Sequence, residues 1–328
     1  MYDYLYHGLL VDLSERLSST EAILTLRRWN EPQRFYHGLN HLYEILEHMK
    51  EFHEWENDLL FYIAIFHDIV YDPLKKDNEE ESIELFNLFA QLNHLSDDDI
   101  RLVSDVILDT KIGNSPRSGL AEHFIKLDRY NLIYGDYRTV LERTMLLFKE
   151  QQFMDFPIWK EKTILFLNQF ADTNPNIKNV ISYLEIWTPK IGIYAGSFNP
   201  FHKGHLNILQ KAERIFDKII IARGCNPEKG ENDLWELPDV LKYHQIEKFD
   251  GFLTKFMDNL GYETTLIRGL RNSTDLQYEM TQFQYLQDMK KDINIVNIFC
   301  DKEFEHISSS AIRNLTKLDK RFGDKYLI

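Results

Sequence analysis

Residues 190–205 read Lys190-Ile191-Gly192-Ile193-Tyr194-Ala195-Gly196-Ser197-Phe198-Asn199-Pro200-Phe201-His202-Lys203-Gly204-His205. A short β-rich run, IGIYA, enters a glycine-bearing turn, and the helical pattern GHLNILQKAERIF follows. Gly196 lets the chain turn sharply after the strand. Gly204 lets a phosphate come close to the backbone. His205 falls in the first turn of the helix, where free N–H groups and the positive end of the dipole favour an anion. An imidazole there can donate to a phosphate oxygen as charge builds in a transition state.

Downstream, KIIIARG, TTLIRG and NIVNIFC are further short β-rich runs, and GFLTKFMDNLG and TDLQYEMTQFQYLQDMKK between them carry helical spacing. Strands alternating with helices predict right-handed βαβ units and a parallel sheet. Ligands of such sheets bind beyond the carboxyl ends of the strands. Upstream the period is different. Apolar residues recur at three- and four-residue steps in LNHLYEILEHM, DLLFYIAIFHDIVY and TVLERTMLLF, which predicts helices throughout. Asn174-Pro175-Asn176 marks a turn before a last helix running to about Trp187, and Thr188-Pro189 breaks the pattern. The expected organisation is multidomain: an all-α domain over 1–188, then an α/β domain over 189–328.

Composition agrees with that division. A length of 328 residues suits about two domains, and 44% hydrophobic with 27% charged residues is ordinary for a globular chain. No apolar run reaches the ~18 residues of a membrane span. The start, MYDYLYHGLL, has no basic stretch leading into an apolar one, so a signal peptide is not expected. The two cysteines, Cys225 and Cys300, have no metal-site spacing, and a reduced cytoplasmic protein is the expectation. The net charge of −14 is uneven: residues 1–188 carry 18 Lys+Arg against 32 Asp+Glu, and the rest 20 against 20. An acidic first half argues against nucleic-acid binding, which uses cations at phosphates.

Four separated blocks carry a resemblance. They are Gly196–His205; Asn226-Pro227-Glu228-Lys229; Ile267-Arg268-Gly269-Leu270-Arg271-Asn272-Ser273-Thr274-Asp275 running on to Tyr278-Glu279-Met280; and Ile307-Ser308-Ser309-Ser310-Ala311-Ile312-Arg313. In this order they resemble the Rossmann-like adenylyltransferases with an H/T-x-G-H signature, phosphopantetheine adenylyltransferase above all. The resemblance spans nearly all of 190–318. It implies transfer of AMP from ATP to a small phosphate ester, with 4′-phosphopantetheine the leading acceptor and dephospho-coenzyme A and pyrophosphate the products, and Mg²⁺ accompanying the nucleotide. It implies that His205 stabilises the transition state at the α-phosphate and that Lys229 and Arg268 hold the acceptor phosphate. Ser197 and the backbone at Phe198 would touch nucleotide and acceptor. Gly269, Leu270, Arg271 and Glu279 would line the nucleotide pocket, Ser308, Ser309 and Ser310 would bind the ATP phosphates, and His202 and Thr254 join the binding set. The chain departs from the family where GENDLWELPDV replaces a helix with a Glu-Glu-Arg element, and where Leu286 takes the place of an asparagine. Another acceptor, nicotinamide mononucleotide or a polyol phosphate, therefore stays open, as does assembly into a homo-oligomer.

The helical half holds Tyr36-His37-Gly38-Leu39-Asn40-His41, Phe66-His67-Asp68-Ile69-Val70-Tyr71-Asp72, Asn78-Glu79-Glu80-Glu81-Ser82 and Asp128. Asp is seldom buried in an apolar helix unless paired or bound to metal. Imidazoles with carboxylates suit Mn²⁺, Fe²⁺, Ni²⁺, Co²⁺ or Zn²⁺. These motifs resemble the HD-domain metal-dependent phosphohydrolases, over most of 20–187. The resemblance points to His41, His67, Asp68 and Asp128 as ligands, to His37 as a cleft residue, and to Asp72 and Glu79 as acid/base or water-orienting groups. Tyr130 stands where a second acid is usual, and a histidine is missing from Asp109-Thr110-Lys111-Ile112-Gly113. One half acting as a regulatory nucleotide-binding module is the alternative. His48, His53, His94 and His123 have no matched spacing.

Overall fold

The computed structural model describes residues 2–224 and 235–328. The Asn226–Lys229 block, and with it the expected role of Lys229, lies outside the described residues. The chain forms two compact units. One comprises Met1–Gln151 and Trp159–Ile186, the other Gln152–Ile158 and Trp187–Ile328.

The first unit is helical: α1 Tyr2–Ser14, α2 Ser19–Trp29, α3 Leu39–Glu51, α4 Asp58–Phe66, α5 Asn78–Leu92, α6 Asp97–Thr110, α7 Gly119–Asp128, α8 Tyr130–Tyr134, α9 Tyr137–Glu150, α10 Phe156–Asn168 and α11 Asn176–Ile186. Polar caps set the starts. Ser18 and Glu21 form a reciprocal capping box at α2, and Ser96, Ser118 and Asp136 accept from N–H groups of α6, α7 and α9. Helix α4 is apolar nearly all round and buried from Leu60 to Phe66 except at Tyr62, so it forms the centre of this unit. Trp29, Leu42, Phe61, Phe86 and Phe124 pack in the same core. The Trp29 indole N–H donates to the Ile65 carbonyl at 3.1 Å.

The second unit is a five-stranded sheet: β1 Ile191–Gly196, β2 Lys218–Gly224, β3 Gln245–Phe249, β4 Thr265–Leu270 and β5 Asn294–Phe299. Its helices are α12 Lys203–Ala212, α13 Leu253–Asn259, α14 Ser273–Met289, α15 Ser309–Leu318 and α16 Lys320–Asp324. The order is β3-β2-β1-β4-β5, with every pairing parallel. From β1 the chain winds outward to β3, then returns to β4 on the other side. The β1/β4 boundary is thus the switch point, where a crevice opens at the strand ends. Strand β3 escaped the sequence reading, because QIEKF at the sheet edge has no apolar run and alternates in burial. At Gly192 on β1 a Cβ would lie 2.4 Å from the Ile267 Cδ1 of β4 and 3.0 Å from the Phe216 ring, so a side chain there would have to displace both.

Residues 152–158 join the second unit although they precede the expected boundary. Lys218, buried at the start of β2, donates its ammonium to the carbonyls of Gln152 and Met154, the latter at 2.9 Å. Tyr262 donates to the Asp155 carboxylate at 3.0 Å. Burial presses the Lys218 ammonium down to about 8, against the opposing pull of Asp155 and Glu247. Among the described residues no helix is long and apolar enough to cross a membrane.

Candidate functional site

In the second unit the site is built on the turn that leaves β1. Phe198 has a φ of 46°, uncommon for a side-chain-bearing residue. Its buried ring packs on Tyr194, Phe201 and His205, and that packing holds the backbone. Arg223 of β2 donates to the Ser197 carbonyl at 3.3 Å, and Arg313 of α15 donates to the Asn199 carbonyl. The turn is therefore tied to two neighbouring elements.

Helix α12 starts at His202, which acts as its N-cap. The His205 N–H donates to His202 Nδ1 at 3.4 Å, and the His202 N–H donates to His205 Nδ1 at 3.3 Å. The rings stack with centroids 3.6 Å apart, tilted by 19°. Each ring thus spends Nδ1 as an acceptor, so its neutral form carries the proton on Nε2. Burial, reinforced by Arg271, pushes His202 down to about 4. Burial, then His202 and Arg271, hold His205 well below the ordinary imidazole range. Both are neutral N–H donors at neutral pH. A Cβ on Gly204 would press on the His202 ring at 3.2 Å, so that glycine protects the stack as well as the approach to the helix start.

Two cavities meet these strand ends. The larger, about 390 Å³, is lined by Tyr194, His202, Gly204, His205, Gly269, Leu270, Arg271, Glu279 and Ser308–Ser310, among others. The smaller, about 270 Å³, is lined by Ala195, Gly196, Ser197, Gly224, Phe249, Leu253 and Arg268. Successive strand residues face opposite sides, which is why Tyr194 and Gly269 serve one cavity while Ala195 and Arg268 serve the other. Of the residues picked from sequence, Ser197 and Arg268 fall on the smaller cavity. His202, His205, Gly269, Leu270, Arg271, Glu279, Ser308, Ser309 and Ser310 fall on the larger. Thr254 is buried in α13, next to Leu253 of the smaller cavity, and lines neither. Ser308 caps α15 by accepting from the Ala311 N–H at 3.2 Å, and Ser309 donates to the Pro200 carbonyl at 3.0 Å. Both arginines pair with acids of α14: Arg268 with Glu279 at 2.7 and 2.6 Å, Arg271 with Asp275 at 2.8 and 2.9 Å.

A parallel sheet opened at its switch point, with an imidazole-capped helix start and serine-capped α15 facing one cavity, defines a nucleotidyltransferase fold, and a family model described as cytidylyltransferase-like matches residues 193–315. The phosphopantetheine adenylyltransferase of Streptococcus pneumoniae (strain 70585) is 36% identical over 137 residues, covering 39% of this chain and 84% of that protein. The enzyme of that name from Rhodopirellula baltica is 30% identical over 138 residues, covering 40% and 76%. Through this region the chain belongs to the phosphopantetheine adenylyltransferase family.

In the first unit, His41, His67 and Asp128 place ligand-type atoms within 4.8 Å of one another. His41 Nε2 is 3.0 Å from Asp128 Oδ1. His67, just past the end of α4, donates Nδ1–H to the Ala64 carbonyl at 3.0 Å. Its Nε2 is buried and makes no directed hydrogen bond among the described residues; it lies 3.3 Å from Asp68 Oδ2 and 3.6 Å from Asp128 Oδ1. The structure thus brings three of the four expected ligands together, and Asp68 adjoins them through His67. Burial disfavours charge on His67, but Asp68 and Asp128 outweigh it and hold the imidazole at about 10. A carboxylate field that strong around a lone nitrogen suits a cation, and two nitrogens with carboxylate oxygens are the donor set of a divalent transition ion.

The residues around this cluster divide. Glu79 is half-buried, near Lys111 at 3.7 Å, and burial with the Asp68 charge raises its carboxyl. Asp72 accepts from the Leu74 N–H at 3.0 Å and belongs to a turn closed by Asn78. His37 stacks on Tyr71 and donates to Glu150 at 2.7 Å. Glu150 was not singled out from the sequence. Its buried carboxylate accepts from the Tyr36 N–H, the His37 N–H, the His37 ring and the Tyr71 hydroxyl, all at 2.7 to 2.8 Å. Arg34, two residues before Tyr36, is buried and donates to the carbonyls of His37, Asp68 and Ile69. The His48 ring packs against Tyr130 at a tilt of 35°, and His123 pairs with Glu54, so these two serve packing and surface pairing.

Proposed function

We propose that the second unit transfers AMP from ATP to 4′-phosphopantetheine, giving dephospho-coenzyme A and pyrophosphate. The observation that carries this reading is the pair of cavities at the β1/β4 ends, one holding the His202–His205 pair and the serine-capped helix, the other holding Ser197 and Arg268. The name shared by the matched relatives supports the choice of acceptor. In the reaction an acceptor phosphate oxygen attacks the α-phosphorus in line. The new P–O bond forms as the bond to the bridging oxygen breaks, and the electron pair leaves on pyrophosphate. His205 donates Nε2–H to the α-phosphate, where charge accumulates, and transfers no proton. The N–H groups opening α15, with the hydroxyls of Ser308 and Ser310, take the departing phosphates, while Ser309 ties the helix start to the Pro200 carbonyl. Arg268, with Lys229 by resemblance, orients the attacking phosphate. Mg²⁺ bound through the nucleotide's phosphate oxygens would neutralise charge there.

The test is pyrophosphate release from ATP and Mg²⁺ against a panel of acceptors. Release with 4′-phosphopantetheine is expected. Release only with nicotinamide mononucleotide or a polyol phosphate would show that the replaced loop element has changed the acceptor.

For the first unit we propose a metal-dependent phosphohydrolase centre with His41, His67, Asp68 and Asp128 as ligands. The buried, undirected Nε2 of His67 favours this reading. The ion would lower the pKa of a bound water and polarise a phosphate ester. Glu150 fixes His37 at the edge of the cluster, and Glu79 and Asp72 are the candidate proton-handling or water-orienting groups. Metal content of the full chain, with His67→Ala beside it, and phosphatase activity under Mn²⁺, Fe²⁺, Ni²⁺, Co²⁺ or Zn²⁺ test it. A metal-free and inactive wild type would favour a regulatory module instead.

A further inference from the structure

Helix α14 is seated in an unusual way. None of its seventeen residues is buried, so no apolar core fixes its position. What ties its first half to the end of β4 is a pair of acids one turn apart: Asp275 grips Arg271 and Glu279 grips Arg268. Residues four apart on a helix share a face, so both carboxylates reach the same strand end. The two members of the second pair also serve different cavities. Glu279 lines the larger and Arg268 the smaller, and two hydrogen bonds of 2.6 and 2.7 Å join them.

The guanidinium has two hydrogen-bonding edges. Glu279 takes the edge formed by Nε and one Nη2 proton; among the described residues nothing bonds the Nη1–Nη2 edge, which can meet a phosphate in the same bidentate manner. A carboxylate held on one edge therefore aims the other. Anything that settles Glu279 in the larger cavity also settles Arg268 in the smaller.

We propose that Glu279 is the positioning residue for Arg268, and that this pair couples the cavities so that nucleotide in one raises affinity for the acceptor phosphate in the other. The coupling rests on the adenylyl-transfer reading given above. It is reciprocal, since linkage requires the acceptor to tighten nucleotide by the same factor.

Calorimetric titration of the full chain with 4′-phosphopantetheine, with and without Mg²⁺ and α,β-methylene-ATP, tests it. In wild type the analogue should tighten acceptor binding by about fivefold or more. In Glu279→Gln, where an amide N–H faces the guanidinium, acceptor binding without nucleotide should weaken by roughly tenfold, and the tightening by the analogue should disappear. Glu279→Asp keeps the charge but is one methylene too short for the paired geometry, so it should behave like Glu279→Gln and carries the test if the amide variant is unstable. A Glu279 that served only nucleotide would leave acceptor binding in the nucleotide-free protein unchanged; that result overturns the proposal. So does a wild type that turns over 4′-phosphopantetheine but binds it equally with and without the analogue. A wrong acceptor reads differently: wild type then fails to bind 4′-phosphopantetheine under any condition, and both readings fall.

Discussion

Replacing His205 with Ala removes two separate things, and the structure gives each a size. The first is the acceptor for the His202 N–H at the start of α12. His202 keeps its own cap on the His205 backbone N–H, so one terminal N–H is orphaned, a stability loss of about 1 kcal/mol. The second is the Nε2–H donor on the wall of the larger cavity. Losing one preorganised donor to transition-state charge costs ~10²–10³ in kcat. The ring is neutral, so the lost interaction is a hydrogen bond rather than an ion pair, and the lower figure, about 10²-fold, is expected. The KM for ATP should change little, because the donor acts where charge builds. Pyrophosphate release at saturating ATP and acceptor reads kcat, and urea denaturation reads the stability term. His205→Asn, whose amide can still donate, should recover part of the rate. NMR titration of the ring protons should show His205 neutral across pH 6–8, since burial holds it well below the ordinary imidazole range. A kcat within about threefold of wild type with a raised KM for ATP would make His205 a ground-state binding residue and refute the mechanism.

Three further outcomes follow from the same geometry. His202→Thr keeps an N-cap oxygen and should retain stability, whereas His202→Leu should lose about 1 kcal/mol by denaturant melting. Lys218 has its pKa depressed in the folded chain, so the unfolded chain binds more protons between about 8 and about 10.5. Wild-type stability should therefore rise across that window by up to about 3 kcal/mol, and thermal melts of Lys218→Met should show a rise smaller by that amount. Glu150→Gln leaves the His37 ring or the Tyr71 hydroxyl without its acceptor and should cost about 3 kcal/mol, with loss of any metal-dependent hydrolysis measured in parallel.

The transferase fold was legible because its signals are local. GSFNPFHKGH shows the strand end, the turn and the helix start in ten consecutive residues, and four of the five strands are apolar runs. The meeting of histidines and carboxylates in the first unit was legible through its motifs, since His41, His67 and Asp68 each sit in a recognisable setting. Glu150 was not, because it closes an amphipathic helix 113 residues from His37, and an acid at such a place reads as solvated. Lys218 reads as the polar lead-in to KIIIARG; only the carbonyls of Gln152 and Met154 reveal that it is buried. The arginine–acid pairing of α14 was half visible. Arg271 and Asp275 are four apart, but the Arg268–Glu279 partnership depends on how the helix returns across the strand end.

Lys218 also sets a timetable for the growing chain. The chain enters the second unit at Gln152, leaves it after Ile158, and re-enters at Trp187, so the units are interleaved and not strung in series. At ~5–20 residues per second, the 218 − 158 = 60 residues between Ile158 and Lys218 take roughly 3–12 s to make. During that interval the segment Gln152–Ile158, which includes the first turn of α10, waits for a lysine that does not yet exist. A gene cut once at residue 188 would yield a transferase fragment whose buried ammonium has lost both of its carbonyls, which is a reason to move the scissors upstream of Gln152.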